Sequence, residues 1–403
     1  MERNIKEYLE NIRSRALSAL DKSSPYGLNL DLTSFIRDKG EVLDVRDYAD
    51  KLINVGIDLS RRDVASYYQV DNIPVNTHNP ISGVKVLNLN SIFSNEDLVL
   101  NYYWKALPVD FDKYTAIAEL IEGEGYVIIA DKNVKVDRPI QTCLILHKPK
   151  LIQAPHNIIV AGENSEIHVV TGCMTALGAE GLHAGVTEFY IGRNATVTYT
   201  MIHNWSRRIH VRPRTAAIIE DGGKLVMHYI NFSPVASLQT YPRIILRGDN
   251  GRAYSSSILI GKLNSILDVG SSIVLNGDNS SGEIISRIIA TDNSKVISRA
   301  KIVGEARNVK GHVECSGLLL TDNSEIITIP ELDAKVRDIQ LTHEAAVGRI
   351  SEDEIIYLMA RGFSRSEAES MIVRGFMEVS LKDLPEILMI SIRRVLDLVA
   401  EKL

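Results

Sequence analysis

The run TDNSKVISRAKIV at residues 291–303 decides the fold. A short polar turn feeds a stretch in which β-branched residues alternate with polar ones, the period of a strand with one face buried. The same turn recurs: GENSEI begins at 162, GRNATV at 192, RGDNGRA at 247 and TDNSEI at 321. The corner residues Asn164, Asn194, Asn250, Asn293 and Asn323 are spaced by whole multiples of roughly 14–15 residues. Asn suits such corners because its side chain bonds the local backbone and tolerates left-handed geometry. A recurring corner feeding a β-branched strand predicts a solenoid, each coil burying its apolar face against the next. An antiparallel sandwich could use similar turns, but repetition over about 200 residues favours a right-handed parallel β-helix.

Working outward, the strand texture spans 121–345 and gives way to helical patterns on both sides. Before it, residues 1–120 form a mostly helical segment. Ile5, Leu9, Ile12, Ala16 and Leu20 make one apolar stripe. VLDVRDYADKLINVG (42–56) ends on Gly56, suited to a left-handed C-terminal cap. DNIPVNTHNP (71–80) reads as an irregular connection. After the core, residues 346–403 are again helical. Ser351-x-x-Glu354 and Ser366-x-x-Glu369 fit capping boxes, Gly362 and Gly375 fit helix ends, and LPEILMISIRRVLDLVAEKL (384–403) has an apolar face to pack along the solenoid.

Composition narrows the function. The 403 residues carry 45 Lys+Arg and 51 Asp+Glu, a net charge of −6, the opposite of the basic excess that phosphate neutralisation demands, so no nucleic-acid partner is expected. No apolar run of about 18 residues suggests a membrane span. The charged start MERNIKEYLENIRSR lacks the apolar core of a secretory leader, so the chain reads as cytosolic. Three cysteines, Cys143, Cys173 and Cys315, show no CxxC spacing and are too few for a four-cysteine metal site or a disulfide framework. GxxxxGK[ST], GxGxxG after a strand, HExxH and GxSxG are all absent, which removes the common phosphate-loop, dinucleotide, zinc-protease and serine-hydrolase chemistries.

Soft ligands remain. Cys315 lies in GHVECSGLLL (311–320), where alternation puts Val313, Cys315 and Gly317 on one face and His312, Glu314 and Ser316 on the other. From spacing alone a free cysteine there is more often a small core residue than a ligand. His343 and Glu344 lie in IQLTHEAAVGRI (339–350), and adjacent strand residues could serve one site only at a strand end or bulge. The helix start near Ser351 suggests such an end; a solvated surface pair is the blander reading. Cys173 lies in VTGCMTALGAEGLHAG (170–185), a Gly-rich stretch that could hold a reactive thiol or a buried one. Cys143, in PIQTCLILH, reads as core, and His203-Asn204-Trp205 as a packed corner.

Read together, these segments resemble the SufB/SufD family of iron–sulfur cluster assembly proteins. The resemblance is carried by TGC (171–173), GLHAGVTEFYIG (181–192), HNW (203–205), YPRIILRGDN (241–250), ECSGLLLTDNS (314–324), IPELDA (329–334) and THEAAVGRISEDEIIYLMARGFSRSEAESMIVRGF (342–376). It implies the SufB branch. Cys315 falls on the scaffold cysteine, His343-Glu344 on the His-Glu of the HEA motif, where SufD typically has His-Gly, and Cys173 on the cysteine that accepts sulfur. The resemblance therefore implies a non-enzymatic scaffold whose metal-facing residues are Cys315, His343 and Glu344 and whose cargo is a transient nascent iron–sulfur cluster. Thiolate is the soft ligand iron prefers, and imidazole or carboxylate can replace some thiolates. One chain has too few ligands, so the site would be completed by a second copy or a SufD-like subunit. The chain is short for SufB and lacks the N-terminal CxxC-type insertions of some members. The resemblance further implies sulfur-donor proteins, apoprotein recipients and a SufC-type ABC ATPase docking around Arg361-Gly362 and Arg374-Gly375. It would allow a flavin in the complex, with no residue assigned to it. Two alternatives stay open: a SufD-like structural partner, in which Cys315 is core, and a carbohydrate-active β-helix enzyme, disfavoured by 6% aromatic residues and the lack of a visible leader.

Overall fold

Parallel pairing dominates the computed structural model, which describes residues 5–121, 124–176 and 178–378. The core is a β-solenoid of about 8 turns. One sheet is built from successive parallel rungs: Ile140–Leu146, Glu166–Thr175, Thr196–Asn204, Lys224–Asn231, Arg252–Gly261, Ser281–Ala290, Val309–Leu319 and Ile339–Arg349. The opposite sheet begins with short paired strands such as His156–Ala161, Val186–Ile191 and Arg214–Ile219. It ends in the ten-residue strands Ile266–Leu275, Lys295–Gly304 and Glu325–Ala334. Pro155, Pro213 and Pro242 sit just before the strands of the earlier coils, where a residue with fixed φ and no N–H interrupts the ladder. The later coils lack that break until Pro330, which lies in the edge strand Glu325–Ala334, where proline is tolerated.

The corners explain the repeat. Asn133, Asn164, Asn194, Asn250, Asn279 and Asn308 all adopt positive φ, between 54° and 63°. Their amides ladder from coil to coil: Asn164 donates to Asn133 at 3.0 Å and Asn308 to Asn279 at 3.3 Å. Each coil has a second corner, where Asn293 donates to Asn264 at 3.2 Å. There the left-handed residue is Asp292 or Leu263, not the Asn expected from the sequence. The spacing of 14–15 is thus half a coil, because coils of about 29 residues turn twice.

Inward-facing aliphatics of both sheets form the long core, from Ile140 and Val169 through Val197, Leu225, Leu259 and Ile288 to Val313. The N-terminal segment covers one outer face. Ile12 and Ala16 of the helix Ile5–Ser18 are buried as the apolar stripe predicts. The buried Glu188 carboxylate fixes this cover by accepting from the backbone N–H of Trp104 (2.8 Å), Ala106 (2.7 Å) and Leu107 (3.0 Å), with His156 Nε2 at 2.8 Å.

Several local expectations are corrected. Residues 1–120, expected to be mostly helical, also hold the strands Ser66–Val70, Ile73–His78 and Val84–Asn88, the first pairing in parallel with Ile140–Leu146. The supposed connection at 71–80 therefore contains a strand, whose register against its neighbour slips at Tyr68/Gln69 and hides the alternation. Gly56 does cap its segment, at φ +77°, and Gly362 is left-handed at φ +100°. Gly375 instead lies inside the helix Arg365–Glu378. Ser351 makes no side-chain cap bond. The reciprocal box forms one Ser-x-x-Glu earlier than expected: Ser364 N–H donates to Glu367 at 2.7 Å and Glu367 N–H to Ser364 Oγ at 3.2 Å. The segment 384–403 lies outside the described residues. Among the described residues no helix is long and apolar enough to cross a membrane.

Candidate functional site

Strand alternation decides where each singled-out side chain goes. In Val309–Leu319, Val313 and Cys315 enter the interior core, and Cys315 is fully buried. The next rung, Ile339–Arg349, is the last of its sheet among the described residues. Its register sets Ala345 beside Cys315, His343 beside Val313 and Glu344 beside Glu314. His343 therefore shares the inner face with Cys315 as its diagonal neighbour, at about 7–8 Å between Cα atoms. Glu344 points outward. The strand continues to Arg349 without a bulge, so the end expected near the His-Glu pair falls five residues later and does not turn both side chains to one side. Among the described residues no three His, Cys, Asp or Glu side chains are grouped closely enough to hold a metal ion.

Two features mark the Cys315–His343 end. His343 Nε2 is buried without a hydrogen-bond partner among the described residues, an unmet capacity that buried imidazoles usually satisfy. The last coil also leaves apolar side chains uncovered, including Leu332 (39% exposed) and Val347 (43%). Burial pushes the Cys315 thiol up, opposed by the Ser298 hydroxyl at 4.0 Å. Outside the barrel, Glu314 is paired with Arg287.

Cys173 occupies a different level. It sits fully buried on Glu166–Thr175, in register with Leu144 and His203. Burial alone pushes its thiol far up. Around it cluster His183, His203, Trp205 and Tyr229. His203 stacks edge-on to Tyr229 at 4.9 Å and accepts or donates at Nδ1 to its hydroxyl at 3.0 Å, while Trp205 lies 4.9 Å from His183. His203 Nε2 and Trp205 Nε1 are buried and unpaired among the described residues. Desolvation keeps both imidazoles neutral, with His183 held down at about 3. The HNW corner is packed, as its sequence suggests, but it packs against the thiol. Cys143 is buried on the other side of its strand, against Val55 and Ile57.

Cys173 and Cys315 are five strand spacings apart, about 24 Å along the barrel. The residues between them escaped the sequence reading. The Cys315 register column runs Thr142, Thr171, Met201, Tyr229, Ser257, Ser286, Cys315. It is mostly polar inside an aliphatic core. Thr142 and Thr171 bond at 2.7 Å, and Ser257 donates to Ser286 at 3.2 Å. The signal was a serine one coil apart among isoleucines, in SSSI (255–258) and ISRI (285–288).

The C-terminal residues Arg361, Gly362, Arg374 and Gly375 lie on or beside the helices Glu352–Met359 and Arg365–Glu378. These helices and the turn between them leave Ile356, Tyr357, Met359, Phe363 and Met371 exposed.

Comparison with known proteins identifies the class. Residues 144–376 match the family described as SUF system FeS cluster assembly, SufBD core domain. The chain is 38% identical over 404 residues to an iron–sulfur cluster assembly SufBD family protein of Methanothermobacter thermautotrophicus, covering 97% of this chain and 98% of that one. It is 41% identical over 350 residues to such a protein of Archaeoglobus fulgidus (87% and 94% covered), and 34% over 303 residues to one of Pyrococcus horikoshii (75% and 68%). The chain belongs to the SufBD family of iron–sulfur cluster assembly proteins.

Proposed function

We propose that this chain is a SufB-like scaffold, which takes sulfur at Cys173 and builds a nascent iron–sulfur cluster at Cys315 for transfer to apoproteins. The observation that carries the reading is the diagonal placement of His343 near Cys315 on the inner face of the last two described rungs, the imidazole having a buried nitrogen with no hydrogen-bond partner among the described residues. A thiolate and an imidazole are both competent iron ligands. Two such groups are too few, so a second chain completes the site. The exposed apolar side chains of the last coil and the unpaired edge of Ile339–Arg349 support that partner, a second copy or a SufD-like subunit. Glu344, on the outer side of the same edge, then serves iron only from the rim of the interface.

The polar column between the two cysteines supports sulfur moving inside the barrel from Cys173 to Cys315, after delivery by a donor protein. Because both thiols are buried and held protonated, each step requires local opening. The exposed apolar side chains on the C-terminal helices support docking of a SufC-type ATPase around Arg361, Gly362, Arg374 and Gly375. Cytoplasmic work suits this thiol chemistry.

Anaerobic reconstitution with iron and sulfide tests the scaffold. Wild type is expected to acquire visible absorbance and stoichiometric iron, and Cys315→Ala to lose both. Normal cluster uptake by Cys315→Ala would leave the SufD-like reading, which the full burial of that thiol favours.

A further inference from the structure

Arg287 is an unusual place for a cation. It sits on the outer face of Ser281–Ala290, flanked by Ile285 and Ile289, and is only 6% exposed. A guanidinium so buried needs its donors satisfied and its charge matched. One nitrogen, Nη2, donates to Glu314, while Nη1 is buried without a partner among the described residues. Above the guanidinium lies the ring of Phe376, 5.7 Å from Cζ to ring centroid. Phe376 belongs to the helix Arg365–Glu378, whose Val373 and Met377 pack into the same outer apolar cluster as Ile260 and Ile289.

On its other side, the salt bridge leads to the candidate site. Glu314 immediately precedes Cys315 and lies in register with Glu344 on the last rung. Two like charges directly opposite on neighbouring strands repel. Arg287 offsets this by engaging Glu314, and the cover from the helix Arg365–Glu378 keeps water from weakening that attraction. The contact therefore has two ends: a helix with an exposed outer surface, and the strand that carries the scaffold cysteine.

We propose that Arg287 is a positioning residue that couples the helix Arg365–Glu378 to the Cys315 strand. Seating of the helix holds Arg287 on Glu314 and keeps the last two rungs closed. Displacement of the helix wets the guanidinium, loosens Glu314 and lets its repulsion from Glu344 part the rungs. Coupling of this kind is reciprocal, so opening the rungs also weakens the seat of the helix. The inference rests on the scaffold reading only for its biological purpose. The contact itself is tested without iron, sulfide or ATPase, so its failure leaves that reading untouched.

Hydrogen–deuterium exchange on the full-length apo chain provides the test. Phe376→Leu keeps an apolar side chain but removes the ring, and Phe376→Tyr restores it. Exchange in peptides covering 309–319 and 339–349 is expected to rise about threefold or more in Phe376→Leu and to stay at the wild-type level in Phe376→Tyr. Arg287→Met should raise the same peptides, and adding Phe376→Leu to it should change nothing further. The control peptide 166–175 should not move. Additive effects of the two substitutions, a rise confined to 352–378, or a rise shared with 166–175 would each overturn the coupling.

Discussion

If a second chain closes the open end of the solenoid, Val347→Asp should break the dimer. Val347 lies on the inner side of the last rung and is 43% exposed in the single chain. Fully burying a valine side chain is worth roughly 1.5–3 kcal/mol, so the unburied half leaves about 1 kcal/mol to be gained at the interface. A two-fold axis counts the position twice, giving about 2 kcal/mol. Aspartate also brings a carboxylate that must lose water without a partner, at about 1–3 kcal/mol per copy. Together these reach about 4 kcal/mol or more, a weakening of the dimer by about a thousandfold. Sedimentation velocity over a concentration series reads this directly, with Ile356→Asp on the C-terminal helices as the substitution that should leave association intact. An unchanged dissociation constant for Val347→Asp, or a wild type that stays monomeric at every concentration, would refute the self-association argument.

Three further outcomes are expected. Glu188→Ala removes the acceptor of the buried backbone N–H groups of Trp104 and Leu107 and of His156, while Ala106 N–H keeps the Tyr190 hydroxyl, so it should cost about 3–5 kcal/mol in urea unfolding, with Glu188→Gln milder because its amide oxygen still accepts. Stability should fall as pH drops from about 7 to about 5. Burial holds His183 down at about 3 and His210 at about 4, so these imidazoles stay neutral in the folded chain while in the unfolded chain they take up protons near the ordinary value of 6.5. The stabilisation is complete above that value and is lost below it, and a flat urea midpoint across that window would count against it. Tyr357→Asp, at a position 56% exposed, should leave thermal stability unchanged and weaken binding of a SufC-type ATPase at least about tenfold in biolayer interferometry, as expected for an aromatic anchor.

Much of the barrel was legible because its corners repeat a backbone requirement: Asn164, Asn194 and Asn250 each occupy the left-handed position the turn needs. The second corner was harder to read, since Leu263 adopts the same conformation there without a polar side chain to announce it. Alternation correctly separated Cys315 from Glu314, and the same rule separates His343 from Glu344, against the hope that a strand end would reunite them. What sequence could not supply was registry between coils. Ser257, Ser286 and Cys315 are 29 residues apart in succession and line up only once the strands are stacked. The helix starts failed for a related reason: Ser364 and Ser366 each stand three residues before a glutamate, and tertiary context chose the first.

The solenoid is quasi-one-dimensional, and that has a consequence for where its cargo could be made. An interior rung is clamped from both sides, whereas Ile339–Arg349 has a single neighbour in its sheet among the described residues. Stability in such stacks is a sum of nearest-neighbour terms, so the terminal rung frays for a fraction of the free energy needed to breach the middle. Thermal fraying would admit solvent to Cys315 often and to Cys173 far more rarely, giving the two thiols of one solenoid different clocks.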